Sequence, residues 1–152
     1  MVYVSGEAPT GAELRAAAPA AIARATLRML EPDMGDFEGL PALRRFAAEV
    51  GEWPQATPDW QWSARFNYQV IERRGTGGSN FRSLYSRFLA EVGHDDGATL
   101  AAAAAESWSA LAAELFAASE SDDPDPAGWE RIAAAAERVL AAEERLWERL
   151  GR

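Results

Sequence analysis

The sequence predicts an all-α fold, a single compact bundle-like domain of about six helices. Three observations predict it. Apolar residues recur at helical spacing, most clearly at Phe81, Leu84, Tyr85, Phe88, Leu89 and Val92. Alanine runs, Ala101 to Ala105 and Ala133 to Ala136, are strong helix formers. Gly- and Pro-bearing breaks cut the 152 residues into helix-length pieces, and that length fits one domain with a real core.

Residues 1–9 are expected as an extended lead-in, with Val2-Tyr3-Val4-Ser5 as its strand-like part. The first helix is expected over Gly11 to Leu30, opened by a Thr10/Glu13 capping box. Pro19 lies inside it, which predicts a kink or a late start. Leu14, Ile22, Leu27 and Leu30 form its apolar face, and Glu31-Pro32-Asp33 ends it. The second helix spans Leu40 to Val50, with Leu40, Leu43, Phe46, Ala47 and Val50 on one stripe and Gly51 as its stop. A loop follows over Glu52 to Pro58.

Thr57 and Pro58 suit the N-cap and first position of a third helix. Trp60, Trp62, Phe66, Val70 and Ile71 surround more than one of its faces, which predicts a central, well-buried helix. The fourth helix is expected to begin at Ser79 as N-cap and to stop at Gly93, with Phe81, Tyr85 and Phe88 buried. The third and fourth helices should meet at Gly75 to Gly78. His94 to Gly97 reads as a turn. The fifth helix runs from about Thr99 to Ala118, with Leu100, Trp108, Leu111, Leu115 and Phe116 inward. After the acidic loop Glu120 to Pro126, the sixth starts at Pro126 behind Asp125 and reaches Leu150. Its stripe is Trp129, Ile132, Ala133, Ala136, Val139, Leu140, Leu146 and Trp147.

Net charge is −9, which argues against nucleic acid and against anionic lipid as partners. All fifteen basic residues are arginine, a bias most simply explained by a GC-rich genome. There is no cysteine, hence no disulfide, thiolate ligand or cysteine nucleophile. A single histidine, His94, argues against a His-rich metal site and against Ser-His catalysis. No cofactor and no metal are expected. Charges interrupt every apolar run, and Glu7 and Glu13 stand where a signal peptide would be apolar, so a cytoplasmic protein is expected.

The composition breaks at one place, from Ile71 to Arg82. There Glu72, Arg73, Arg74, Gly75, Thr76, Gly77, Gly78, Ser79, Asn80 and Arg82 form a candidate ligand-binding turn. Glycines let a backbone approach a ligand, a helix N-terminus presents free N–H groups, and guanidinium groups suit carboxylate or phosphate. Arg73, Arg74 and Arg82 would converge on one oxyanion, with Glu72 orienting one of them. The alternative is a helix–helix turn braced internally by a Glu72–Arg pair. The string lacks the Gly-Lys-Ser/Thr ending of a Walker A loop, and a helix rather than a strand precedes it, unlike a dinucleotide fingerprint.

Other candidates are weaker. Asp33, Asp36 and Glu38 surround Gly35 and suit magnesium, a substrate amine or simply a solvated loop. The acidic run Glu120 to Asp125 reads as a solvated turn. His94 with Asp95 and Asp96 is an acid–base candidate of poor spacing. Trp60 and Trp62 read as core in preference to a ligand-stacking pair.

Gly39-Leu40 to Trp53, Ile71-Glu72-Arg73-Arg74-Gly75-Thr76-Gly77, Phe81-Arg82 and Leu84-Tyr85-Ser86-Arg87-Phe88-Leu89, with Ser107-Trp108 and Leu111 to Leu115, carry a resemblance. The chain resembles the C-terminal helical domain, of uncharacterised function, in butirosin-biosynthesis protein H-like (BtrH-like) proteins. The resemblance covers most of the chain. It implies acyl transfer in secondary metabolism: the name-giving member moves an aminoacyl group from an acyl-carrier protein to an aminoglycoside amine, using a cysteine-hydrolase-like domain ahead of the helical one. No position here can take over that nucleophile. Residues 1–152 are then expected to be the second domain of a larger acyltransferase-like protein, or a stand-alone relative whose partner supplies the chemistry. The extended Val2 to Ser5 favours the former.

Three functions compete. One is an accessory domain binding a substrate, an acyl-carrier protein or its phosphopantetheine arm, with an upstream cysteine-hydrolase-like domain as partner. Another is a structural or protein-interaction domain with the Glu-Arg-Arg-Gly-Thr-Gly motif as a brace. The third, an independent enzyme with Ser79 as nucleophile, lacks a base of convincing spacing.

Overall fold

The structure, a computed structural model, describes residues 10–74 and 78–152. Every regular element among them is helical. Five helices have eleven residues or more: α1 (Gly11–Leu30), α2 (Gly39–Glu49), α5 (Gly78–Glu91), α6 (Asp95–Ser119) and α7 (Pro126–Leu150). Two short ones, α3 (Trp53–Ala56) and α4 (Trp60–Tyr68), lie between α2 and α5. The expected third helix is the nine-residue α4, which widens into a π-turn at Gln69–Arg73, so five long helices stand among the described residues where about six were expected.

The α1 capping box forms as expected. The Glu13 amide donates to Thr10 Oγ1 at 3.3 Å, and the Thr10 amide donates to Glu13 Oε2 at 2.8 Å. The helix continues through Pro19 with no late start. Proline leaves the Arg15 carbonyl without its usual donor, but both residues lie on the solvent side, where water serves. The buried face of α1 is Ala18, Ile22 and Thr26; Leu14 and Leu27 are exposed. At the entry to α2, Gly39 has φ +63°, and a Cβ there would stand 2.6 Å from the Met29 carbonyl oxygen. Glycine is what lets the chain reverse against the end of α1.

The stretch expected as a loop after Gly51 is instead a 3₁₀ turn, Val50–Glu52, followed by α3. α4 starts two residues later than Pro58, because Thr57 Oγ1 accepts from the Asp59 amide at 3.2 Å and closes a turn first. It buries one face only: Trp60, Ala64 and, beyond it, Ile71 point inward, while Trp62 is 65% exposed and stacks on Phe66. α5 likewise buries little. Only Ser79 and Leu89 are buried, Tyr85 and Phe88 are half-buried, and Phe81 is 48% exposed. α6 takes up the expected turn at Asp95 to Gly97 and starts there.

α6 and α7 form the central antiparallel pair, fixed at its ends by Arg149–Asp96 (2.9 Å) and Arg131–Glu114 (3.2 Å). α4 and α5 lie against α6, and α1 and α2 against α7. Alanines at 101, 104, 112 and 136 let helices approach closely, and Leu111, Leu115, Ile132, Val139 and Leu146 fill the core between them. Trp53, Trp60 and Trp129 pack edge-on or tilted at the other end. Among the described residues no helix is long and apolar enough to cross a membrane.

Candidate functional site

The site is built around Glu143. Its side chain is 0% exposed, on the inner stripe of α7 between Val139 and Leu146. A carboxylate taken out of water needs partners for all its lone pairs, and four donors supply them. Arg82 Nε donates to Oε1 at 2.7 Å and Arg82 Nη2 to Oε2 at 2.9 Å. Trp108 Nε1 donates to Oε1 and Trp147 Nε1 to Oε2, each at 2.7 Å. α5, α6 and α7 thus meet at one carboxylate.

Local sequence explains the convergence. Glu143 and Trp147 are one helical turn apart, so the indole reaches back to the acid. Gly78, Arg82 and Tyr85 share a face of α5. A Cβ on Gly78 would stand 2.5 Å from Trp108 Cδ2, so only glycine lets the indole lie against the start of α5. The Arg82 guanidinium sits 5.0 Å from the Trp147 ring centre. Tyr85 stacks on the Trp147 ring at 5.5 Å.

Above this cluster, α1 and α5 flank a groove of about 460 Å³. Ala25, Arg28 and Met29 line it from α1, Gly78, Phe81, Arg82 and Tyr85 from α5, with Trp108 and Trp147 behind. That size and mostly apolar lining with a few polar groups are typical of small-ligand sites. The Tyr85 hydroxyl is buried and has no hydrogen-bond partner among the described residues. Burial pushes the phenol above its ordinary pKa, and the nearby Arg82 charge opposes this. Arg28 holds Asp33 at 3.0 Å and Glu38 at 2.8 Å, which raises its pKa through Glu38 first and Asp33 second.

The residues of the Gly-rich turn have separate fates. Arg82 is committed to Glu143. Arg74 lies 5.0 Å from the Phe66 ring centre and donates to Gln69 Oε1 at 3.1 Å, and Arg73 is exposed. Glu72 orients no arginine; it accepts from Ser109 Oγ of α6 at 2.5 Å. Ser79 is not an N-cap but the second residue of α5, buried, with its hydroxyl donating to the Ile71 carbonyl at 3.3 Å. Asn80 is exposed. Gly75, Thr76 and Gly77 lie outside the described residues, as does the 1–9 lead-in.

A family model described as "Domain of unknown function (DUF4872)" matches residues 1–150. The chain belongs to this family. No curated protein and no solved structure matches it. Membership assigns no activity, so the chemistry rests on the side chains.

The other candidates resolve simply. Asp33 and Glu38 are taken up by Arg28, and no group of three or more metal-binding side chains occurs among the described residues. His94 is the N-cap residue of α6 and caps nothing with its side chain, while neighbouring Asp96 pairs with Arg149. In the acidic loop, Glu120 pairs with Arg65 at 2.6 Å, and Asp125 caps α7 by accepting from the amides of Ala127 and Gly128. Trp60 is core; Trp62 is surface.

Sequence reasoning missed Glu143, Trp147 as its donor, and α1 as a wall of the groove. One signal was present: a glutamate at a position where the α7 stripe calls for an apolar residue.

Proposed function

We propose that the chain is an accessory, non-catalytic helical domain that binds an acyl substrate, or the acyl-bearing arm of a carrier, in the α1/α5 groove. The observation that carries this reading is the groove itself, with Met29, Phe81, Tyr85, Trp108 and Trp147 as apolar walls and Arg82 as its polar group. The likeness to the helical domain of BtrH-like proteins supplies the acyl-transfer context. In that context a cysteine-hydrolase-like domain, ahead of this one or on a partner, performs the transfer. The chain itself has no cysteine, and the buried Ser79 hydroxyl is spent on the Ile71 carbonyl.

A second reading is favoured by the Arg82–Glu143 geometry: a structural or protein-interaction domain in which part of the arginine–glycine motif is an internal brace. Both readings need that ion pair; they differ over the groove. The test is titration of the whole chain with S-octanoyl-phosphopantetheine, followed by tryptophan fluorescence and melting temperature. Trp108 and Trp147 line the groove and report directly. Saturable binding that is lost in Ala25→Trp, which fills the groove, supports the binding domain. No binding, with an unchanged melting temperature, leaves the brace.

A further inference from the structure

The groove's charges are already cancelled. A guanidinium carries five N–H donors; Arg82 spends Nε and one hydrogen of Nη2 on Glu143. Its remaining donors have no acceptor among the described residues, and the side chain, 17% exposed, borders the groove. Yet its positive charge is neutralised at contact by a wholly buried carboxylate. At the rim, Arg28 faces two carboxylates, Asp33 and Glu38, so that edge is net negative. An oxyanion entering here would lose its hydration and meet no uncompensated positive charge. A neutral carbonyl loses far less and still gains N–H donors.

We infer that the α1/α5 groove selects an uncharged acyl carbonyl on an apolar chain, as in an amide, ester or thioester, over a carboxylate or a phosphate. Arg82 donates to the carbonyl oxygen, and Met29, Phe81 and Trp108 cover the chain. This rests on the groove being a binding site, as proposed above, and adds what it binds.

Three probes share one apolar chain and differ in charge: octanamide, octanoate and octylammonium. Each is titrated into the whole chain at neutral pH with tryptophan fluorescence as readout. Octanamide is expected to saturate at concentrations about tenfold below the two charged probes. Asp33→Asn combined with Glu38→Gln leaves Arg28 uncompensated at the rim and is expected to strengthen octanoate about fivefold, leaving octanamide unchanged. Both ion pairs lie at the largely exposed rim, so this variant still folds; Arg82→Ala would strand Glu143 and is unsuitable. Octanoate binding as tightly as octanamide to the native chain, or an unaltered octanoate affinity in the double variant, overturns the inference. Binding of S-octanoyl-phosphopantetheine with no preference among the three short probes overturns it too, while the groove stands as a site. No binding of any of the four removes both.

Discussion

Arg82 and Glu143 meet edge to edge, Nε to Oε1 at 2.7 Å and Nη2 to Oε2 at 2.9 Å, across two helices and 61 residues of sequence. The carboxylate has no water side at all. Losing either partner leaves the other uncompensated, whereas removing both lets apolar groups fill the space.

Arg82→Ala is accordingly expected to lower unfolding free energy by about 3–5 kcal/mol, measured by urea denaturation. Arg82→Met combined with Glu143→Leu should recover most of that loss. An Arg82→Ala cost below about 1 kcal/mol would place the pair in solvent.

Gly78→Ala tests the close approach of Trp108. In an exposed helix this change would stabilise by up to about 1 kcal/mol. Here the added Cβ would stand 2.5 Å from the indole, and a net loss of about 1–3 kcal/mol is expected. A gain in stability would show that Trp108 is not held against α5.

Phe81→Ala and Leu89→Ala separate the two sides of α5. Phe81 is 48% exposed and Leu89 is fully buried. Leu89→Ala should cost about 2–5 kcal/mol and Phe81→Ala less than about 1 kcal/mol. Equal losses would contradict the groove's open side.

Tyr85 and Glu13 contribute at opposite ends of the pH profile. Tyr85 has a folded-state pKa raised above its ordinary 10.0 by burial, so its contribution is whole below pH 10. Stability should fall as pH rises above 10, because the unfolded chain gives up the proton first, and Tyr85→Phe should flatten that fall. Glu13 has a pKa lowered below 4.5, chiefly by the Thr10 backbone amide and then by the Thr10 hydroxyl. Its contribution is present above pH 4.5 and is lost as pH drops through the lowered value. Thermal melts across both ranges, with Glu13→Gln as the acid-side control, test the assignment.

Helix periodicity and caps were readable wherever a short-range rule governs. Thr10/Glu13, Asp125-Pro126 and the α7 stripe are local patterns, and the structure has them. What periodicity could not show is which apolar residues find a neighbour. Leu14, Trp62 and Leu84 carry the spacing of a buried face, yet each stays more than half exposed. The same limit holds at the site. The spacing of Arg73, Arg74 and Arg82 suggests convergence, but the partner that claims Arg82 lies 61 residues away on α7. A carboxylate on an apolar stripe announces that some buried donor exists; it does not say which one.

The π-turn at Gln69–Arg73 has a consequence for how this chain can change length. The Arg74 amide reaches the Gln69 carbonyl five residues back, at 2.8 Å, so this turn carries one residue more than an α-turn of the same role. Deleting one residue from the middle of α6 or α7 would rotate everything beyond it by about 100° and carry Trp108 or Glu143 out of register. Deleting one at Gln69–Arg73 would only tighten the wide turn into an ordinary one. Descendants shorter by a single residue there should fold to the same bundle, so within the helical segments a deletion costs less at this turn than in α6 or α7.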